Sequence, residues 1–244
     1  MPPFANIPPV VKNLLIINVL FYIAMQLFGP QMMTSVLGVY YFDSPNFRIW
    51  QVVTYMFMHS YESLFHIFFN MFALYTFGTA LEFVMGSKRF LNFYLITGIG
   101  ALVLQMAVQS IEVYQVTGSI VNNGHFLIDT VQGTMSYNPE LITEEQASKL
   151  MGIYISPMVG ASGAIFGLLI AFVMLFPNAE LFLMFIPVPV KAKYIIPVYI
   201  LVELFLGVKQ LPGDSIAHFA HLGGALFGFI LVKLWGLKRT DRFL

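Results

Sequence analysis

The chain has 244 residues, contains no cysteine and is poor in charged residues. Without cysteine it can have no disulfide bonds, no thiolate metal ligands and no cysteine nucleophile. Charged residues make up 10% of the chain and hydrophobic residues 58%, whereas soluble domains average about 25% and about 45–50%. The net charge is zero, so the composition gives no reason to expect a nucleic-acid partner. This composition is typical of a polytopic membrane protein.

Apolar segments recur along the chain at lengths that can cross a bilayer, for which a helix needs about 20 residues. They predict an all-α membrane bundle of six transmembrane helices, near residues 11–28, 62–81, 90–111, 159–177, 194–208 and 215–235. The N-terminus lacks a basic segment followed by a small-residue cleavage site, which favours a retained first span over a signal peptide. We therefore expect a single membrane domain over residues 1–244.

Two of the segments between the predicted spans are polar or mixed in composition. Residues 112–156 are the one long polar stretch, and we expect them to form an external insert between spans three and four. Thr143 and Gln146 fit a capping box, which predicts a short helix near residues 144–151. Residues 31–59 combine a turn signal with aromatic residues, which suggests a segment lying at the membrane interface. The insert could cover a site, bind substrate or do neither.

The lysines and arginines predict the orientation of the spans, since cytoplasmic loops carry an excess of them. With both termini in the cytoplasm, the outer loops would contain only Arg48, Lys149 and Lys209. The inner side would hold Lys12, Lys88, Arg89, Lys191, Lys193, Lys233, Lys238, Arg239 and Arg242. We therefore expect a multi-pass protein, in a bacterial inner membrane, whose site near Ser162 opens to the outer side.

Ser162 lies in a run of small residues, 159–167, at the start of the fourth predicted span. A lone serine on an apolar helix usually bonds back to a carbonyl one turn earlier, and the glycines around it usually serve helix packing. A helix start also offers unpaired N–H groups, which can stabilise a developing oxyanion. A hydroxyl becomes a useful nucleophile only with a base, for which a neutral histidine is suited.

His221 could supply that base, because it lies at nearly the same predicted depth as Ser162 and on the same side of the membrane. Small residues line one face of both spans and would let the helices approach closely; they are Gly163, Gly167 and Ala171 on the fourth span and Gly224, Ala225 and Gly228 on the sixth. His218 is the alternative base. It lies nearer the outer surface, and its neighbours do not extend the small face.

His66 and Asn70 are four residues apart in the second predicted span, so a helix projects both side chains to one side. Their N–H groups could point at one shared oxygen, as in an oxyanion hole. They could equally form a hydrogen bond that only holds the bundle together. The sequence does not distinguish the two.

Metal binding and proton transport are less favoured by the sequence. His59, His66, His218 and His221 could bind a metal, but there is no H-E-x-x-H motif and no carboxylate beside them in the spans, so we predict neither a metal nor a cofactor. Glu203 is the only carboxylate well inside a predicted span. A proton-coupled transporter would need ionisable groups along a path through both leaflets.

Three motifs together resemble the signature of the rhomboid family of intramembrane serine proteases. They are Gly-Ala-Ser-Gly at 160–163, Ala-His-Leu-Gly-Gly at 220–224, and His66 followed four residues later by Asn70. The resemblance continues in residues 50–59 and 78–89 and covers most of the chain from Arg48 to Gly228, apart from the insert. The rhomboid family implies a six-helix membrane bundle.

The resemblance implies a catalytic dyad of Ser162 and His221, with no third acid, which cleaves peptide bonds in or near transmembrane segments of other membrane proteins. It implies an oxyanion hole made of the Ser162 backbone N–H and the side chains of His66 and Asn70. The expected partners are therefore transmembrane protein substrates and the lipid bilayer. The alternative is a catalytically silent relative that binds and escorts membrane proteins, although such a protein should lack the nucleophile or the base.

The resemblance also assigns supporting residues. Phe166 stands where the family has an aromatic ring against which the histidine of the dyad stacks. Glu82 is expected to be structural, near the cytoplasmic end of span two, and to pair with Arg89.

Overall fold

The computed structural model describes residues 7–61, 63–129, 132, 134–182, 188–209 and 217–239. The helices are α1 (Pro9–Phe28), α2 (Pro30–Leu37), α3 (Gln51–Thr54), α4 (Leu64–Ala73), α5 (Thr79–Met85), α6 (Ser87–Thr117), α7 (Glu144–Ile155), α8 (Ser162–Leu175), α9 (Ala192–Lys209) and α10 (His218–Leu234). A 3₁₀ turn (Tyr55–Phe57) follows α3, and a π-helical turn (Leu74–Gly78) joins α4 to α5. Two antiparallel hairpins pair β1 (Phe126–Asp129) with β2 (Thr134–Tyr137) and β3 (Glu180–Phe182) with β4 (Pro189–Lys191).

Three helical segments are long and apolar enough to cross a membrane: Pro9–Phe28, Leu64–Met85 and Ser87–Thr117. Helices α8 and α10 are apolar but shorter. Together with α9, these segments correspond to the six predicted spans. Their outward faces carry exposed leucine and phenylalanine side chains, such as Leu27 and Phe65, as a lipid-facing surface would. The predicted fold class, an all-α polytopic membrane bundle, is confirmed.

The third span is longer than predicted. Helix α6 continues through Glu112 to Thr117 and ends at Gly118, whose φ of 72° forms a left-handed C-cap. The polarity of Glu112 suggested an earlier end, but its carboxylate lies 2.9 Å from the Lys149 ammonium, so this charged residue contacts α7 while remaining in the helix.

The small faces of α8 and α10 pack against each other as predicted. A β-carbon on Gly224 would overlap the carbonyl group of Gly163, and one on Gly228 would lie 2.7 Å from the carbonyl oxygen of Gly167. A methyl group at either position of α10 would therefore force the two backbones apart. This close approach brings the start of α8 beside the first turns of α10.

The described residues of the 112–156 insert pack around an apolar core of their own. The core combines one residue of the β1–β2 hairpin and four of α7 with three residues from outside them, and consists of Tyr41, Val113, Phe126, Ile142, Ala147, Leu150, Ile153 and Tyr154. The predicted capping box is present: Thr143 Oγ1 accepts a hydrogen bond from the Gln146 backbone N–H at 3.3 Å, and Gln146 Oε1 accepts one from the Thr143 N–H at 3.0 Å. The helix extends to Ile155, beyond the predicted end.

The insert is bonded to the segment between α2 and α3. Asp43 Oδ2 accepts hydrogen bonds from the Asn122 backbone N–H at 2.6 Å and from the Tyr154 hydroxyl at 2.8 Å. The Ser44 hydroxyl donates to the Tyr154 carbonyl at 2.7 Å. Burial raises the pKa of Tyr154, and so does the neighbouring Asp43 carboxylate, so the phenol remains protonated and able to donate. Asp43 thus joins both ends of the insert to the preceding loop.

Replacing Asp43 by alanine should loosen the insert without unfolding the bundle. The Tyr154 hydroxyl and the Asn122 N–H lose a charged acceptor, and each such bond contributes about 1.5–3 kcal/mol. We expect faster hydrogen exchange across the β1–β2 hairpin and α7, with α8 and α10 unchanged. Tyr154→Phe, which removes one of the two bonds, should give a smaller increase in the same segments. Equal exchange in wild type and Asp43→Ala would contradict this role.

Glu82 caps the start of α1. Its carboxylate accepts hydrogen bonds from the backbone N–H groups of Val10 at 3.0 Å and Val11 at 2.8 Å, and from the Ser87 hydroxyl at 2.7 Å. Glu82 has no other partner among the described residues. The expected pairing with Arg89 is therefore wrong. A carboxylate at a helix start bonds orphan N–H groups and also favours the positive end of the helix dipole.

Glu82→Gln should lower the free energy of unfolding by about 1–3 kcal/mol, because the amide retains the shape but loses the charge and one acceptor oxygen. Thermal unfolding of the purified protein in detergent would measure the change. Glu140→Gln, at an exposed position of the insert, is the matched control and should leave the unfolding temperature unchanged. A wild-type unfolding temperature for Glu82→Gln would show that the cap is dispensable.

Candidate active site

Ser162 is the first residue of α8 and is half-buried. Its hydroxyl lies 2.8 Å from Nε2 of His221, which is one turn into α10. The first intrahelical bond of α8 runs from the Ile165 N–H to the Ala161 carbonyl at 3.1 Å, so the N–H groups of the preceding residues have no intrahelical acceptor. The structure therefore places a serine hydroxyl beside both an imidazole and a set of helix-start donors.

One further contact holds the His221 ring and is itself supported by α9. Phe166, one turn below the serine, stacks on it with ring centroids 4.3 Å apart and planes 7° from parallel. Tyr199 of α9 packs on Phe166 at 5.1 Å. Phe166 therefore stacks on His221, as the resemblance predicts.

A carboxylate completes the surroundings of His221. Glu203 of α9 is 4% exposed, and its Oε2 lies 2.9 Å from His221 Nδ1 and 2.6 Å from His218 Nδ1. The expectation that no carboxylate lies beside these histidines is therefore wrong. The signal was in the sequence, since a carboxylate inside a span requires a partner, and two histidines three residues apart share one side of α10.

His218, the alternative base, occupies a different place. Its ring lies perpendicular to that of His221, with centroids 6.4 Å apart, and its Nδ1 faces Glu203. The imidazole within hydrogen-bond distance of Ser162 is that of His221.

Glu203, His218 and His221 could also bind a divalent cation, because their ligand atoms lie within 4.8 Å of one another. Hydrogen bonds account for the same distances, since an ionised carboxylate accepts from both Nδ1–H groups. The prediction of no metal assumed that no carboxylate lies beside the histidines, and Glu203 contradicts that assumption.

His66 and Ser162 flank Gly160. Gly160 has a φ of 131°, and a β-carbon there would lie 3.2 Å from His66 Nε2 and 3.4 Å from Ser162 Oγ. The Ser60 backbone N–H donates to His66 Nδ1 at 3.0 Å, so a neutral His66 carries its proton on Nε2. The His66 Nε2–H and the Ser162 oxygen therefore both border the position that a Gly160 β-carbon would occupy. The Tyr55 carbonyl fixes this turn by accepting from the Gly160 N–H at 2.9 Å.

The other two residues singled out near α4 are buried. Asn70 Nδ2 donates to the His66 backbone carbonyl at 2.8 Å, a bond within α4 that joins Asn70 to no other helix. His59, expected in a loop or at the interface, is fully buried, and its ring packs edge-on against His66 with centroids 5.3 Å apart. The role of Asn70 as an oxyanion donor remains a prediction.

Comparison with known proteins places the chain in a family. The family model for the Rhomboid domain matches residues 46–237. The chain is 26% identical to "RHOMBOID-like protein 12, mitochondrial" of Arabidopsis thaliana, over 96% of the chain and 60% of that protein. It is 25% identical to "Rhomboid protein 1, mitochondrial" of Saccharomyces cerevisiae, over 70% of the chain and 38% of that protein. It is 27% identical to "Presenilin-associated rhomboid-like protein, mitochondrial" of Rattus norvegicus, over 75% of the chain and 41% of that protein.

The matched parts cover between 38% and 60% of these relatives. All three are mitochondrial by name, which conflicts with the bacterial inner membrane expected from the sequence. The family model spans most of the chain and includes Ser162, His221, His66 and Asn70. The chain therefore belongs to the rhomboid family.

Proposed function

We propose that the protein is an intramembrane serine endopeptidase that cleaves transmembrane segments of other membrane proteins. The observation that carries the proposal is the 2.8 Å contact between the Ser162 hydroxyl and His221 Nε2. A serine is a weak nucleophile until a neighbouring base accepts its proton, and this contact supplies one. The membership of the rhomboid family supports the same reaction class.

In the proposed reaction His221 Nε2 accepts the hydroxyl proton while Ser162 Oγ bonds to the carbonyl carbon of the scissile peptide. The resulting oxyanion lies near the N–H groups at the start of α8 and near His66 Nε2–H, and donors fixed in place before the reaction stabilise such charge most effectively. His221 then protonates the leaving amine as the C–N bond breaks, which leaves an acyl-enzyme. Water, deprotonated by His221, hydrolyses the ester and restores the serine.

Asn70 is proposed as a further donor to the oxyanion. Its amide has two N–H bonds, and the His66 carbonyl accepts a hydrogen bond from this amide nitrogen. Asn70→Ala should therefore reduce cleavage less than the loss of the serine or the histidine, because other donors at the site remain.

The proposed substrates are helices that reach Ser162 from the bilayer. The distribution of lysine and arginine supports termini on one side of the membrane and a site that opens to the other. On that orientation residues 112–156 lie outside the bilayer, directly before the turn that holds Ser162. We propose no role for the insert beyond the contacts that join it to the preceding loop.

The test uses purified protein in lipid vesicles with a model substrate that has one transmembrane segment and a tag at each end. A fluorophosphonate should label Ser162, identified by mass spectrometry, and should abolish cleavage in proportion to labelling. Cleavage that survives complete labelling would contradict the mechanism. A substrate that binds but stays intact, with Ser162 unlabelled, would instead indicate the escort function.

A further inference from the structure

Glu203 has the position of an acid that orients a catalytic histidine. It is buried in α9, with side-chain exposure of 6%, and faces two imidazoles of α10 whose side chains are 6% and 12% exposed. A buried carboxylate is stable only when hydrogen-bond donors replace its water shell. His218 and His221 supply those donors through Nδ1, at 2.6 and 2.9 Å from the same oxygen, Oε2.

The contact determines which nitrogen of His221 is protonated. An ionised carboxylate can only accept, so the Nδ1 of His221 must carry the proton, and Nε2 of a neutral ring is then the acceptor. Nε2 is the atom 2.8 Å from Ser162 Oγ. The carboxylate therefore favours the tautomer that can take a proton from the serine, and it lies where it can stabilise the imidazolium that forms.

We infer that Glu203 is a positioning residue that makes the site a Ser162–His221–Glu203 triad, with His218 as a second donor to the same carboxylate. This inference rests on the proposed function. In triads of this type, replacing the acid by its amide lowers kcat by about 10⁴-fold because the wrong tautomer results. Here Phe166 also holds the ring, so part of the orientation survives without the acid.

The first experiment measures kcat and KM for the model transmembrane substrate with Glu203→Gln, Glu203→Asp and the exposed control Glu145→Gln. We expect Glu203→Gln to lower kcat about 100-fold or more with little change in KM, because the loss is in the reacting state and not in substrate binding. Glu203→Asp retains the charge, so its kcat should be at least about tenfold higher than that of Glu203→Gln. Glu145→Gln should match the wild type.

A kcat within about threefold of wild type for folded Glu203→Gln would overturn the inference, since tautomer control predicts a far larger loss. A fall in kcat that only follows the loss of folded protein, judged by thermal unfolding, would also overturn it, because the residue would then be merely structural. If Glu203→Gln does not fold, the ring tautomer of His221 in the wild type decides: protonation on Nδ1 supports the inference, and protonation on Nε2 contradicts it.

A second experiment separates this inference from the proposed function. The rate at which a fluorophosphonate labels Ser162 requires the base but no peptide substrate, so it should fall in Glu203→Gln as kcat does. In wild type labelled with ¹⁵N-histidine, the nitrogen signals that disappear in His221→Ala should be those of a ring protonated on Nδ1. Labelling that depends on Glu203 without any proteolysis would refute the proposed function alone. The opposite tautomer, protonated on Nε2, would refute the positioning role even if the protein is a protease.

Discussion

Replacing His221 by alanine should lower the cleavage rate by about 10⁴-fold or more, and Ser162→Ala should have an effect of similar size. His221 Nε2 lies 2.8 Å from the serine oxygen and is the proton acceptor in the proposed mechanism. Without it the hydroxyl must lose its proton to water, and the leaving amine has no acid in position. The measurement is cleavage of the model transmembrane substrate by purified protein in lipid.

The effects of the two changes should not add. Residues that act as one catalytic unit lose nearly all of their joint contribution when either is removed, so the double variant should be about as slow as each single variant. A double variant slower by the product of the two effects would mean that the residues act separately. That outcome would contradict a nucleophile and base working in one step.

His218→Ala is the matched control, because it removes an imidazole of the same helix that also contacts Glu203. We expect it to lower the rate far less than His221→Ala does, since His221 still contacts both Ser162 and Glu203. If His218→Ala abolishes cleavage while His221→Ala does not, the assignment of the base is wrong.

The sequence was most informative where function depends on residues close to one another along the chain. Ser162 at a helix start and the small faces of α8 and α10 follow from local patterns, because helical periodicity alone places those residues on a common face. The histidine on α10 could be paired with the serine because both lie at one predicted depth. These parts of the site needed no knowledge of how α9 is oriented.

Glu203 was missed because its role depends on the rotation of α9 about its own axis. Many side chains on α9 are apolar and exposed, so the pattern did not indicate which side faces α10. A stricter rule would have helped: a carboxylate within a span needs donors, and the histidines of α10 were the candidates at that level. The contact itself, between residues 15 and 18 positions apart, appears only in the folded chain.

The insert shows the same limit over a longer range. Its capping box was predicted because both residues lie within four positions of each other, whereas its attachment was not. Tyr154 and Asp43 are 111 residues apart, and no local pattern indicates that a tyrosine of α7 donates to an aspartate before α3. The structure therefore adds connections that composition could not: the loop before α3 is bonded to the insert through Asp43 and Ser44, and to the turn that precedes Ser162 through Val39.

Gly224→Ala should damage the site through the backbone. The added β-carbon would overlap the carbonyl group of Gly163, and no side-chain rotamer can relieve a clash with backbone, so α10 must move away from α8. Overpacking of this kind costs about 1–3 kcal/mol of stability. Because Gly224 follows His221 by one turn, the imidazole moves with it, and a displacement of about 1 Å at a catalytic group can cost about 100-fold in rate. We therefore expect a lower unfolding temperature and a loss of cleavage.

The control is Gly152→Ala in α7, where a β-carbon would meet no atom within 4 Å. Alanine in place of glycine inside a helix stabilises it by about 0.5–1 kcal/mol, so this variant should show a shift of opposite sign with normal cleavage. Fluorophosphonate labelling of Ser162 distinguishes a displaced base from a blocked substrate path in Gly224→Ala. Slow labelling means that the serine has lost its base, because the reagent needs no transmembrane substrate. Labelling and cleavage at wild-type rates would show that α8 and α10 tolerate the separation, and that the glycine contact does not hold His221 at the serine.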